Sequence, residues 1–322
     1  MRHLLLGIAI AFALAFTAPV AHSQSKYPTK PIRLVTPFAP GGGSDIVARL
    51  IGPPMNAVLG EPVVVDNRPG GGGTLGAAIV ARAEPDGYTL IVVSGSYGAN
   101  GALYDVPYDT VTGITPILLF GTTPLVLTVH PSMPVKSIGE FIAFSKANPK
   151  KVNIASAGWG GLDHLAGELI KLQTGATYTT IPYKGSGPAM TAVLSGEVSG
   201  SLTTLVTCIP HVKAGRLRAI GVTTAKRSHA LPDVAAIGET VPGYEVVHWY
   251  GLWGPKGLPP NIVTLWNSEV AKVLRTEAVE KWMADQGLER AGGPPEEFAN
   301  RLRIDVDKWK RVVKEAHIVI NQ

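Results

Sequence analysis

The sequence predicts an α/β protein built as two lobes, on three observations. Short apolar runs of strand character alternate with helical patterns from Ile32 to Val222, the order that gives a largely parallel sheet covered by helices. Two glycine-bearing loops, Pro37–Asp45 and Ser156–Gly161, each join such a run to a helix start, and they fall in different halves of the chain. The chain has 322 residues and its first 23 read as a leader, which leaves 322 − 23 = 299, enough for two cores at roughly 150 residues per domain.

The leader consists of Met1-Arg2-His3, an apolar run from Leu4 to Phe16, and a small-x-small site at Ala21 and Ser23. Cleavage is expected before Gln24, giving an exported, soluble protein, because the run is too short to span a bilayer. With no cysteine near the cleavage site, a lipid anchor is not expected there. Loss of Arg2 reduces the formal charge from +5 to +4; spread without Lys/Arg runs, that excess gives no nucleic-acid footprint and suits small anions. Cys208, the only cysteine, has no intramolecular partner and reads as a small buried apolar residue.

In chain order, Ile32–Thr36 reads as a buried strand and Ser44–Leu59 as its helix, capped by Ser44 or Asp45, with a break near Gly52 ahead of Pro53 and Pro54. Pro62–Asp66 is the next strand, Asn67–Gly73 a second glycine loop, Thr74–Ala83 a helix and Tyr88–Val93 a strand, followed by a loop carrying Tyr97. The apolar runs within Ile117–Val129, split by Gly121–Pro124, mark the first crossing between lobes. Ser137 and Glu140 form a capping box for the helix that ends at Asn148. Val152–Ala155, the loop Ser156–Gly161 and the helix Leu162–Thr174, ended by Gly175, repeat the opening design. Strand Tyr178–Pro182, helix Gly187–Leu194, the apolar stretch Leu202–Ile209 and strand Leu217–Val222 continue it. Glu245–Trp253 returns to the first lobe, and helices follow at Pro260–Arg275, Glu277–Gln286 and Pro295–Ala316. The lobes are therefore residues 24–124 with 247–322, and residues 125–246.

Among the motifs, Gly71–Gly76 satisfies GxGxxG but lacks the acidic residue expected about 20 positions on, so it reads as structural or as a cleft wall, and no cofactor is expected. His164 and Glu168 stand i, i+4 on one helix without a third ligand, so no metal is expected. No nucleophile elbow or acid–base cluster marks an enzyme. The two glycine loops instead read as anion seats: bare backbone amides at two helix N-termini, converging from opposite lobes on a dianion without a lysine or arginine. Trp159, between glycines, is either a lid over the core or an aromatic wall for the ligand.

Several strings together resemble the Bug proteins, the periplasmic receptors of tripartite tricarboxylate transporters: Lys26–Leu50, Val63–Ala77, Ala83–Leu90, Ile154–Leu169, Ile181–Met190, Pro210–Thr224, Leu231–Val234 and His248–Pro255. The resemblance runs over essentially the whole mature chain in the same order. It implies a type II periplasmic binding protein fold, two α/β lobes joined by two crossings around a ligand cleft, closing on a small organic carboxylate held mainly by backbone amides and water. It implies membrane permease subunits as partners, and a monomeric receptor.

By the same resemblance, Phe38, Ala39, Gly42, Gly43, Ser44 and Asp45 match the first binding loop, and Ser156, Gly158, Gly160 and His164 the second. Relatives often carry an Asp where this chain has Thr203; a threonine removes a charge that would favour a ligand ammonium group. With Trp159 and Tyr97 as aromatic candidates, the expected ligand is an aromatic mono- or dicarboxylate of the phthalate or benzoate type, with a citrate-like tricarboxylate as the alternative. Lys184 could face the anion or only shape its turn. A receptor for a membrane kinase and, from another class, a periplasmic hydrolase remain alternatives.

Overall fold

The computed structural model describes residues 27–315; the leader, its cleavage site and Ala316 lie outside the described residues. Strand β1 (Ile32–Thr36) leads through the first glycine loop into helix α1 (Gly43–Leu59). The helix starts at Gly42 as N-cap, ahead of both Ser44 and Asp45, and it does not break at Gly52. Pro53 is exposed and Pro54 half-buried, so the carbonyls deprived of a donor face water, while Ile51, Gly52 and Met55 hold the opposite face in the core. Then come β2 (Val63–Asn67), a 3₁₀ turn over Gly71–Gly73, α2 (Thr74–Ala81) and β3 (Thr89–Ser94). The expected loop after β3 is a helix, α3 (Ser96–Leu103), with Tyr97 buried in its first turn.

The apolar runs around Gly121 form one 16-residue strand, β4 (Ile114–Val129). Helix α4 (Ile138–Ala147) carries the Ser137 cap, β5 (Asn153–Ser156) follows, and α5 (Leu162–Thr174) ends on left-handed Gly175. The chain continues with β6 (Thr179–Pro182), α6 (Ser186–Leu194), β7 (Gly200–Thr204), α7 (Leu205–Lys213) and β8 (Arg218–Val222). The apolar stretch Leu202–Ile209 thus divides at Thr204 into a strand end and a helix start, which apolarity alone does not separate. β9 (Val247–Pro255), α8 (Pro260–Leu274), α9 (Glu277–Asp285), β10 (Glu289–Arg290) and α10 (Pro295–Glu315) complete the fold.

Eight strands form one path, β2-β1-β3-β9-β4-β7-β5-β6, and β8 and β10 each pair with β4 off that path. β1 pairs in parallel with β2 and β3, and β5 in parallel with β6 and β7. β4 joins the two halves: its residues from Ile114 to Pro124 pair antiparallel with β9, and Leu125–Val129 with β7. Alternate residues feed opposite faces, as the pleat requires. Leu90 and Val92 pack with α1 and α8, Ile91 and Val93 with Trp249, Trp253 and Phe298. In the second half Leu127 and Ile154 pack with α4 and α5, Val126 and Ala155 with α6, α7 and the fully buried Cys208, whose thiol burial pushes up to about 12. Both half-sheets are therefore covered on two faces.

Two features tie the halves together. Thr223 is fully buried; its hydroxyl accepts from the Leu125 amide and donates to the Val246 carbonyl, joining the two strands that cross between halves. α10 places Phe298, Leu302 and Val306 against the first half, while Trp309 joins the core that contains Leu162 and Ile170. Among the described residues no helix is long and apolar enough to cross a membrane.

Candidate functional site

The carboxyl ends of β1, β3, β5 and β7 point to one crevice between the halves, where ligands bind in open parallel sheets. The loops on its two sides touch. The Ala39 amide donates to the Lys184 carbonyl at 2.9 Å, the Leu162 amide to Ser96 Oγ at 3.0 Å, and the Tyr104 hydroxyl to the Trp159 carbonyl at 2.6 Å. Left-handed Gly185 (φ 142°) lets the second half approach Phe38 and Ala39 closely; a Cβ there would sit 3.0 Å from the Ala39 nitrogen.

At the first loop the N-terminus of α1 is open. The amides of Gly43 and Ser44 have no partner among the described residues, as expected in a helix's first turn. Asp45 does not reach them. Its carboxylate accepts from the Gly41 amide, Arg49 Nε and Asn67 Nδ2, each at 3.0 Å, and so braces the loop. Burial raises the Asp45 acid, but these donors and the Arg49 charge outweigh it and hold the group below the usual carboxylate range.

The second loop departs from the expected pair of anion seats. A carboxyl of the protein itself stands at this end: Asp163 folds back into the loop and accepts from the Ala157 amide, while the Leu162 amide at the start of α5 donates to Ser96 Oγ. Asp163 is buried with no cationic partner, so desolvation raises its acid to about 6, with nearby backbone amides opposing the rise. The second loop thus presents a carboxyl to the pocket beside its helix N-terminus, where a bare anion seat was expected.

The loops enclose an inner pocket with about 20 Å³ of room, enough for about one water. Four of the groups that line it carry a buried polar atom with no hydrogen-bond partner: Ser44 Oγ, Thr203 Oγ1, His248 Nδ1 and Tyr250 OH. Orphaned polar atoms are rare in folded proteins, and four facing one pocket indicate a polar occupant. Burial and the Arg301 charge push the His248 imidazole down to about 3, so it is neutral, and burial raises Tyr250, which stays protonated. The pocket is thus lined by hydroxyls, amides, a neutral imidazole and one acid. Phe38 and Ala157 also line a wider groove of about 620 Å³ bounded by Gly70–Gly73, Tyr104, Gly158, Trp159, Tyr183 and Lys184. Trp159 is 38% exposed, its ring set edge-on to His164 at 4.9 Å.

Of the expected site residues, the structure brings Phe38, Gly42, Gly43, Ser44 and Thr203 to the inner pocket and Gly158 and Trp159 to the groove. It leaves six behind the lining. Ala39 and Asp45 shape the first loop. Ser156 donates to the Gly158 carbonyl, and His164 accepts from the Gly160 amide and backs Trp159. Tyr97 is a core residue stacked on Tyr108 and against Trp253. Sequence reasoning did not single out Asp163, His248, Tyr250, Ser94, Ser96 or Thr204 in the pocket, nor Tyr104 and Tyr183 in the groove. Only the runs LDHLAGEL and HWYGLWGP carried a hint of the first three. The GxGxxG loop forms one wall of the groove.

A family model described as tripartite tricarboxylate transporter family receptor matches residues 47–318. Protein BugT of Bordetella pertussis is 35% identical over 320 residues, covering 98% of each chain. An R. palustris protein solved with adipate superposes with a TM-score of 0.87 at 34% identity, over 91% of this chain and 99% of that one. MatC of Rhodopseudomonas palustris, solved with bound malate, gives a TM-score of 0.84 at 32% identity, over 89% and 100%.

Proposed function

The chain belongs to the tripartite tricarboxylate transporter receptor family, and from that premise we propose that it seats one carboxylate of an aromatic mono- or dicarboxylic acid of the benzoate or phthalate type in the inner pocket, the rest of the ligand lying in the groove. Its fold is that of the periplasmic binding proteins, and its family that of solute-binding receptors. The observation that carries the proposal is the cluster of four orphaned polar atoms beside two unpaired amides at the N-terminus of α1, a donor set matched to an anion.

The groove supports the choice of ligand. Phe38, Tyr104, Trp159 and Tyr183 offer aromatic surface, and Lys184 stands at its edge for a second carboxylate. An inner pocket with room for about one water admits the tip of a single carboxylate more readily than the branched head of a tricarboxylate. That one similar protein was solved with adipate and another with malate favours diacids.

Transport would follow from closure of two lobes, residues 24–124 with 247–322 and residues 125–246, about the crossings that Thr223 joins, with delivery to membrane permease subunits. A thermal-shift screen followed by calorimetry with benzoate, phthalate, adipate, malate and citrate tests the reading. Tightest binding is expected for phthalate or benzoate; tight citrate binding with silence toward the aromatic acids would overturn the ligand assignment.

A further inference from the structure

Asp163 is the only acid among the residues that line the inner pocket, and the receptor reading gives it no task. The Ala157 amide holds its carboxyl at the mouth of α5, in the lining of the pocket. The elements packed around it contribute Ser44 from α1, Ser96 from α3, Thr203 and Thr204 from β7, and His248 and Tyr250 from β9. None of these is charged at neutral pH: His248 is neutral and Tyr250 protonated. On its own helix His164 is held below its usual value by burial, and Glu168 pairs with Lys171 at 2.7 Å.

An anion that reaches the Gly43 and Ser44 amides therefore meets a second carboxyl with no cation beside it. Two ionised carboxylates in one small dry pocket do not coexist; such pairs share a proton. We propose that Asp163 enters the complex as the neutral acid and donates its O–H to the ligand carboxylate, so that binding takes one proton from solvent. The proton adds to the Asp163 carboxylate, stays on its oxygen and points at the ligand oxygen, and no other bond changes. The opposite assignment, an ionised Asp163 selecting an ammonium group, is disfavoured because the open end of α1 presents amides and a positive dipole to the same pocket. Asp163 is on this account a ligand-contacting residue whose acid proton faces the inner carboxylate of the ligand. The proposal rests on the receptor reading.

The mature protein is titrated with phthalate, adipate and malate near pH 7.5 in phosphate and in Tris, two buffers of different ionisation enthalpy. The expected result is a buffer-dependent heat equivalent to uptake of nearly one proton, and affinity falling close to tenfold from pH 7 to pH 8, the limit for one linked proton. Asp163→Asn, which still accepts from the Ala157 amide, should bind with no uptake and with pH-independent affinity; thermal melting checks its fold. If the variant does not fold, the two-buffer measurement on the unaltered protein still decides. Binding with no uptake, or with proton release, overturns this proposal and leaves the receptor reading intact. Silence toward all three acids and toward benzoate and citrate removes the receptor reading and this proposal with it.

Discussion

Replacing Gly43 by alanine tests whether the site works through backbone approach or through charge. A Cβ at Gly43 would run into the Tyr250 hydroxyl and lie 2.6 Å from Cζ of that ring and 3.0 Å from Thr204 Oγ1. Ordinary contact begins near 3.4 Å, so the tip of the ring must retreat by more than about 1.5 Å, and Tyr250 is 1% exposed with His248 packed edge-on against it at 4.9 Å. Overpacking of this kind costs about 1–3 kcal/mol of stability. Moving the hydroxyl off a bound carboxylate removes a charge-assisted hydrogen bond worth about 1.5–3 kcal/mol, or roughly 10- to 150-fold in affinity. Gly42 is the control: its nearest neighbour to a new Cβ is the Ala39 carbonyl at 3.5 Å and its φ is −81°, so Gly42→Ala should change affinity less than about threefold. Lys184→Ala, at an exposed groove position, should cost less than about tenfold. Calorimetry with the tightest-binding acid reads affinity, and thermal melting separates it from folding. If Lys184→Ala abolished binding while Gly43→Ala bound normally, the reasoning would be refuted.

Thr203→Asp puts a second carboxyl in the inner pocket; malate should lose at least about tenfold in affinity while aspartate gains relative to it, by calorimetry, and unchanged selectivity would contradict the pocket assignment. Trp159→Ala removes one groove wall, so benzoate and phthalate should each lose about 0.5–1.5 kcal/mol of binding while malate changes little; equal losses for all three would argue against ring stacking. Burial raises the Asp163 acid from 3.8 to about 6, which disfavours the folded state increasingly as pH rises through that window, whereas His248, held near 3 instead of 6.5, gives stability that is lost as pH falls below 6.5; the two slopes oppose each other between about pH 4 and 6. Asp163→Asn should expose the His248 slope, about 1.4 kcal/mol per pH unit in urea unfolding over that range, and stability curves parallel to the parent's would refute it.

How far the site could be read from the sequence depended on how local its signals are. β1 was legible because Pro31 and Pro37 bracket one apolar run, and α5 because Gly161 and Gly175 bracket one helical pattern. The open end of α1 was legible for the same reason. His248 and Tyr250 were not, because they reach the pocket only through the pairing of β9 with β3 and β4, partners more than 100 residues away. Tyr97 illustrates the converse: SGSYGAN carries turn residues, yet tertiary packing of α10 across Gly98 makes it a helix and turns the tyrosine into the core. The paired helix N-termini failed on a finer point. An acid in the first turn is an ordinary helix feature, and spacing does not say whether it gains a cationic partner, as Asp45 does in Arg49, or is buried in the pocket wall with none, as Asp163 is.

That difference gives the cleft a direction. The α1 side offers an arriving anion unpaired amides with no carboxylate aimed at them, and on the other side the ionised Asp163 repels it until a proton arrives. Encounter should therefore occur on the α1 side, and protonation should act later, when the Asp163 side closes over the bound carboxylate. The pH dependence of affinity then belongs to dissociation: between pH 7 and 8 the association rate should stay constant, while the dissociation rate rises close to tenfold. Trp159, at the groove and partly exposed, supplies the fluorescence signal for stopped-flow measurement. A pH dependence carried by the association rate would place the proton before encounter, and the order of events argued from the two aspartates would be wrong.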